Sequence, residues 1–86
     1  MVAINPEPAQ LLVDCRCLLG EGIVWCPRRE VLWWTDIQSS RLWMHSPGTR
    51  ETRAWDLSDR LGCLALCESG KLLLGFSKNL VLADVD

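Results

Sequence analysis

A glutamate held between two glycines is the residue of this sequence whose surroundings best suit chemistry. Glu21 stands in the tripeptide Gly20-Glu21-Gly22. Glycine lets the backbone bend tightly and leaves a neighbouring carboxylate unobstructed, and a hard divalent cation prefers carboxylate and carbonyl oxygens. Taken alone, however, a glutamate in such a turn is more often a solvated surface residue. Two interpretations therefore stay open for Glu21, a solvated turn and a metal ligand.

Two further side chains, those of Asp36 and His45, are of a type that could take part in chemistry. Asp36 follows a strongly apolar run and is a second candidate ligand. His45 is the single histidine, and no serine or carboxylate accompanies it in a triad pattern, so we expect it to face solvent.

The cysteines indicate reduced thiols. They are odd in number, none forms a C-x-x-C pair, and only one histidine is available, so neither a disulfide framework nor a zinc cluster is expected. Cys63 and Cys67 are predicted to share one face of a strand. All five are interpreted as small hydrophobic residues; they are Cys15, Cys17, Cys26, Cys63 and Cys67.

Composition bounds the class of protein. The chain has 86 residues and a net charge of -2, with 49% hydrophobic and 23% charged residues. This excludes a disordered charged tail, and the lack of a basic excess argues against a nucleic-acid partner. The length allows one small domain. No apolar run approaches the roughly 20 residues of a membrane span, and residues 1–10 lack the features of a signal peptide, so a cytoplasmic location is expected.

The elements that must position these residues are short strands. After an extended lead-in over residues 1–10, apolar or β-branched runs alternate with turn residues, and no window keeps a helical period. We predict an all-β chain of about eight strands. Their expected ranges are Leu11–Arg16, Ile23–Cys26, Val31–Ile37, Arg41–His45, Thr52–Leu57, Cys63–Cys67, Leu72–Phe76 and Leu80–Val85.

An internal repeat narrows the choice of all-β fold. A shift of 41 residues places Val31-Leu32-Trp33 over Leu72-Leu73-Leu74, and a shorter second turn would bring the next strands into line. A repeat of about 40 residues with three or four strands is typical of propeller blades. Two blades cannot close a ring. The chain is therefore expected to be part of a longer propeller or, alternatively, a small closed β-barrel or interaction module.

Several ordered segments carry a resemblance to a known family. The chain resembles the gluconolactonase family, which includes regucalcin, the senescence marker protein. The resemblance rests on three segments in this order: Leu18-Leu19-Gly20-Glu21-Gly22-Ile23-Val24-Trp25, then Val31-Leu32-Trp33-Trp34-Thr35-Asp36-Ile37, then Arg41-Leu42-Trp43. Trp55-Asp56-Leu57 and the turn Glu68-Ser69-Gly70-Lys71-Leu72 fit the same pattern. The sequence departs from it at Ile23, where the family usually has proline, and at Cys26, where a polar residue is common.

The resemblance implies the architecture. It implies that residues 11–86 are the N-terminal part, about two blades, of a six-bladed β-propeller. Within this partial propeller Leu11–Cys17 would be the strand that closes the ring, followed by the first blade and most of the second. The tryptophans other than Trp55 are expected to pack between blades rather than to form a surface on which a sugar stacks. They are Trp25, Trp33, Trp34 and Trp43.

The resemblance also implies the chemistry. Glu21 matches a ligand of a divalent metal in the central channel, calcium or zinc, whereas Asp36 matches a structural position that bonds backbone amides. Asp56 follows a tryptophan as in another propeller family, but the Gly-His pair of that family is missing here. The remaining metal ligands, an asparagine and an aspartate, and the sugar-binding arginine and asparagine have no counterpart in the chain.

The expected function is thus that of part of a metal-dependent hydrolase that opens a sugar lactone to the sugar acid. We expect the isolated 86 residues to be inactive and to self-associate through unpaired edges. The alternatives are a non-enzymatic, calcium-binding regulatory protein of the regucalcin type and the self-contained β module.

Overall fold

Seven antiparallel strands in two sheets make up the computed structural model, which describes residues 10–85. The first sheet is β1 (Gly20–Cys26), β2 (Val31–Asp36), β3 (Arg41–Ser46) and β4 (Glu51–Asp56), and the second is β5 (Leu61–Leu66), β6 (Leu72–Phe76) and β7 (Leu80–Ala83). In both sheets every strand pairs with its neighbours in sequence. Within the described residues there is no helix, and hence no helical membrane span.

Tight turns join the strands of the first sheet. Each of the three turns ends on a residue in the left-handed region, with φ of 55° at Glu30, 52° at Ser40 and 62° at Arg50. The amides of Glu30 and Arg50 close their turns on the carbonyls of Cys26 and Ser46, at 2.8 and 2.7 Å. Such turns reverse the chain within four residues, so apolar runs of six residues are forced into a meander.

The hydrophobic core lies between the two sheets. Alternate residues of β2 and β3 point to this side, because successive side chains of a strand face opposite ways. Trp33, only 3% exposed, contacts a cluster that both sheets build. Its prediction as an inter-blade residue is therefore confirmed. The cluster consists of Cys26, Val31, Trp33, Leu42, Met44, Leu61, Leu72 and Leu74.

The repeat predicted from the sequence is present in the structure. Strands β2 and β6 begin 41 residues apart, at Val31 and Leu72. Four residues separate β2 from β3, whereas three separate β6 from β7, as the expected shorter turn requires. The sheets stay separate, with strand orders β1-β2-β3-β4 and β5-β6-β7. The closed-barrel alternative is therefore wrong for the part of the chain described.

Two predicted segments differ from the structure in kind, whereas the ends of the other predicted strands agree with the observed ends within two residues. The Gly20–Gly22 segment, expected as a turn, is the beginning of β1, because Gly22 at φ 64° allows a bulge inside the strand. Leu11–Arg16 forms no strand, so seven strands are seen rather than about eight. A strand forms only where a partner strand is present to accept and donate its ladder hydrogen bonds. The role of Leu11–Cys17 in closing a propeller ring remains a prediction. Of the lead-in at residues 1–10, residues 1–9 lie outside the described residues.

Candidate functional site

Glu21 lies in the first half of β1, which is the first strand of its sheet. It is exposed, and its Cα is paired with that of Thr35 on β2. The register shifts between Glu21 and Val24, where Gly22 adopts a φ of 64°. A bulge of this kind re-aims the neighbouring side chain, which is one reason that bulges are frequent beside active sites.

The side chain of Glu21 borders an open cavity of about 560 Å³. The walls are mostly apolar and come from β1, β2 and the segment before β1; they include Leu12, Val13, Cys15, Ile23, Leu32 and Trp34. No ion pair engages the Glu21 carboxylate within residues 10–85. The carboxylate is therefore available to bind a cation or a polar ligand beside this cavity.

One carboxylate does not make a metal site. No group of three histidine, cysteine, aspartate or glutamate side chains lies together among the described residues. A hard divalent cation takes six or more oxygen ligands, some from water, and stable protein sites supply several. The donor chemistry of Glu21 thus fits a divalent metal, but the remaining protein ligands would have to come from outside the described chain.

Asp36 anchors the segment that leads into Glu21. It is 3% exposed, and its carboxylate accepts hydrogen bonds from the backbone amides of Leu18 and Leu19 at 3.0 and 2.9 Å. Burial raises the pKa of Asp36, but these bonds and those from Ser39 outweigh it and leave the pKa below its usual value. Asp36 bonds backbone amides, as the resemblance implied, and fixes the chain just before Gly20.

Thr35 supports Glu21 from the neighbouring strand and was missed by the sequence analysis. It is completely buried, and its hydroxyl donates to the Leu61 carbonyl at 2.9 Å, with the Arg41 carbonyl 3.2 Å away. Because Leu61 begins β5, this bond ties the two sheets together at the residue whose Cα pairs with that of Glu21. The available signal was a polar residue inside the apolar run Val31-Leu32-Trp33-Trp34 and Ile37.

The other sequence candidates are not brought to Glu21 as ligands. Asp56 is exposed on β4 and forms an ion pair with Arg41, 2.8 Å between Nε and Oδ1. His45 was expected to face solvent, and this is wrong. It is 5% exposed, and its Nδ1 lies 2.7 Å from Thr52 Oγ1 on the adjacent strand. His45 lies on β3, a middle strand of the four-stranded sheet, and a strand with neighbours on both sides covers its side chains better than an edge strand does.

The cysteines stay free, but they are not uniformly packed. Cys26 belongs to the core, whereas Cys63 is exposed. The predicted face shared by Cys63 and Cys67 falls away because β5 ends at Leu66. Cys15 and Cys17 lie side by side with their sulfur atoms 3.2 Å apart, which the sequence analysis did not foresee.

Comparison with known proteins identifies several relatives of this chain. The L-arabinolactonase of Azospirillum brasilense is 37% identical over 99% of this chain and 29% of its own length. The 6-deoxy-6-sulfogluconolactonase of Pseudomonas putida is 34% identical over 91% of this chain and 27% of its own length. A pentonolactonase of Haloferax volcanii is 50% identical over a shorter stretch, 44% of this chain. The chain thus spans less than a third of these relatives.

A solved structure and a sequence family agree with these relatives. The crystal structure of regucalcin, described as a calcium-binding protein, from Agrobacterium tumefaciens superposes with a TM-score of 0.80 at 26% identity, over 85% of this chain and 25% of that one. The two sheets are therefore blades of a β-propeller. Residues 19–86 match the family described as the SMP-30/Gluconolactonase/LRE-like region. This chain belongs to the SMP-30/gluconolactonase/LRE-like family.

Proposed function

We propose that this chain contributes two blades and one metal ligand, Glu21, to a hydrolase that opens sugar lactones. The observation that carries the proposal is that Glu21 is exposed, borders a cavity and stands on a bulged first strand, with no ion pair to its carboxylate within residues 10–85. The proposal is also supported by the comparison with known proteins, because three relatives of this chain are lactonases. The proposed metal is calcium or zinc.

Several residues of this chain would position Glu21. When bound, a divalent cation supplies Lewis acidity toward a lactone carbonyl and lowers the pKa of a bound water. Glu21 would hold that cation together with ligands from other blades. Asp36 fixes the approach to β1 through the amides of Leu18 and Leu19, and Thr35 fixes β2 against β5. The wall beside Glu21 is mostly apolar.

A chimera tests the proposal with the chain in hand. Residues 19–86 would replace the corresponding segment of the Azospirillum brasilense L-arabinolactonase, to which this chain is 37% identical. We expect the chimera to hydrolyse L-arabinonolactone with added divalent metal. Glu21→Gln in the chimera should lower kcat/KM at least about 10-fold and weaken the metal dependence, because a neutral amide is a poorer ligand for a hard cation.

A matched carboxylate provides the control. Glu68 is an exposed turn residue whose replacement by glutamine also removes one negative charge. Glu68→Gln is expected to leave kcat/KM and metal dependence unchanged. Equal loss in both variants, or full activity of the Glu21→Gln chimera at limiting metal, would remove Glu21 from the metal site.

A regulatory, calcium-binding role is the second candidate, because the solved structural neighbour is described as a calcium-binding protein. Glu21 would serve both functions, so the ligand alone does not separate them. Calorimetry with calcium and a lactone hydrolysis assay on the same chimera do. Glu21-dependent calcium binding without hydrolysis, in a chimera that circular dichroism shows to be folded, would favour the regulatory role.

A further inference from the structure

Two thiols lie in contact on the segment that leads into β1. The Cys17 thiol donates to the Cys15 sulfur, and the Sγ atoms are 3.2 Å apart. Both side chains are half-buried and both cysteines are free. The residues between Gln10 and Cys17 form no strand, so no ladder hydrogen bonds of their own restrain them.

The backbone between the two cysteines favours their approach. Arg16 has a φ of 50°, in the left-handed region that a residue with a Cβ adopts only at a cost. In an extended strand the residues on either side of a third one are separated by two full rises. A left-handed residue draws its two neighbours closer together, toward the Cα separation that a disulfide requires. The folded chain has thus already met part of the ordering cost of joining Cys15 to Cys17.

The surroundings give the two sulfur atoms different roles. Burial, the hydrogen bond to Cys15 and nearby negative charge together raise the pKa of Cys17 to about 11, although a hydrogen bond from Trp34 opposes them. Cys17 therefore keeps its proton near neutral pH, and thiolate attack on an oxidant begins at Cys15. Cys17 is then the second sulfur to react.

We propose that Cys15 and Cys17 form a reversible internal disulfide and are a redox modification site. The Cys15 thiolate attacks one sulfur of a low-molecular-weight disulfide and expels one thiolate. The sulfur of Cys17, whose proton passes to solvent, then attacks the Cys15 sulfur of the mixed disulfide and expels the second thiolate. Two protein thiols are oxidised to one disulfide, and the small disulfide is reduced to two thiols.

The bridge lies next to the candidate metal ligand. A Cβ placed on Gly20 would be 3.4 Å from Cys17 Cβ, so Cys17 packs directly against the residue before Glu21. Cys15 and Glu21 border the same cavity. Oxidation would therefore fix the segment that forms one wall of this cavity, whether or not Glu21 binds a metal.

The test uses a chimera in which residues 1–86 replace the corresponding segment of the Azospirillum brasilense L-arabinolactonase, so that the segment is held in a complete fold. The exposed Cys63 is changed to serine, which leaves four of the five thiols of this segment. The chimera is equilibrated with a reduced and oxidised glutathione buffer, its free thiols are blocked and counted, and it is digested with trypsin. Cleavage after Arg16 and Arg28 separates residues 1–16 from residues 17–28. We expect two thiols to be lost and the two peptides to remain joined by the disulfide.

Variants separate the proposed bridge from the alternatives. Cys17→Ser should abolish the joined peptides; their survival would mean that Cys15 pairs with Cys26, which overturns the proposal. Arg16→Pro cannot reach a positive φ and should lower the equilibrium constant for oxidation about 10-fold, toward the value of the parent chain in urea, whereas Arg16→Gly should retain it. A glutathione adduct without the internal bridge, or equal oxidation of the native chain and the chain in urea, would also overturn it.

Discussion

Replacing Asp36 by asparagine should open the segment before Glu21 without altering the rest of the first sheet. The buried carboxylate accepts hydrogen bonds from Leu18 and Leu19 at 3.0 and 2.9 Å. A hydrogen bond to a charged group contributes about 1.5–3 kcal/mol, and a buried donor left without a partner costs a similar amount. Asparagine keeps the shape but presents one oxygen and one N–H group. The local loss is therefore about 3 kcal/mol for the two bonds together.

Amide hydrogen exchange measures this loss directly. A change of about 3 kcal/mol corresponds to roughly a 150-fold faster exchange when opening is local. If global unfolding costs less free energy than local opening of this segment, the increase in the exchange rate is smaller. We therefore expect exchange at Leu18 and Leu19 to become at least about 10-fold faster. The measurement is NMR-detected exchange at low temperature on a chimera in which residues 10–86 replace the corresponding segment of the Azospirillum brasilense L-arabinolactonase. The Val31–Asp36 strand is the internal reference.

A second aspartate of the same sheet is the control. Asp56 is 84% exposed at its side chain and pairs with Arg41 at 2.8 Å. Exposed ion pairs contribute about 0–1 kcal/mol, so Asp56→Asn should leave exchange at Leu18 and Leu19 unchanged. Unaltered exchange at these two amides in the Asp36→Asn chain would refute the role assigned to the Asp36 carboxylate.

The remaining predictions concern pH, the junction between the sheets and the isolated chain. The pKa of Asp36 is lower in the folded chain than in the unfolded chain, so the ionised carboxylate stabilises the fold fully above the unfolded pKa and loses this effect as pH falls through the folded pKa. Over that pH range the protection of the Leu18 amide against hydrogen exchange, corrected for the intrinsic exchange rate, should therefore fall. Arg29 donates to the carbonyls of Val85 and Gly70 at 2.6 and 3.1 Å, so Arg29→Ala should lower the free energy of unfolding of the chimera by about 1 kcal/mol, measured by urea denaturation against Lys78→Ala. In the isolated chain Leu80 and Leu82 on β7 are 71% and 56% exposed. The chain should therefore show β-type circular dichroism without a sharp thermal transition, bind a hydrophobic dye and self-associate at micromolar concentration. A cooperative melt together with a monomer by light scattering would contradict this.

Strand positions were predictable from the sequence because apolar runs and turn residues alternate along most of the chain. The predicted bounds of Leu72–Phe76 are those of β6 in the structure, because Gly70 and Ser77 stand on either side of an apolar run. Gly20–Gly22 was not, because a glycine that supports a bulge has the same sequence signature as a glycine in a turn. Whether a segment such as Leu11–Arg16 pairs depends on a partner strand, which local sequence does not encode.

The candidate site was predictable only in part. Glu21 was identified from its glycine neighbours together with the family resemblance, and the structure places it on the first strand of its sheet. The burial of His45 depends on a strand that follows it in the chain, so pattern alone assigned it wrongly. The bond from Thr35 to Leu61 forms because the two sheets pack together, and the contact of Cys15 with Cys17 accompanies a left-handed backbone at Arg16. The spacing of apolar residues in the sequence predicts neither.

The pairing of each strand with its neighbour in sequence has a consequence for how the chain folds during synthesis. All ladder contacts of the first sheet lie within Gly20–Asp56, so they close only short loops and involve small sequence separations. This sheet can form once Asp56 has left the ribosome, before any residue of β6 or β7 exists. The bonds from Thr35 to Leu61 and from Arg29 to Gly70, across 26 and 41 residues, can form only afterwards. Folding would thus proceed vectorially, blade by blade, with docking of the second blade as a separate and later event.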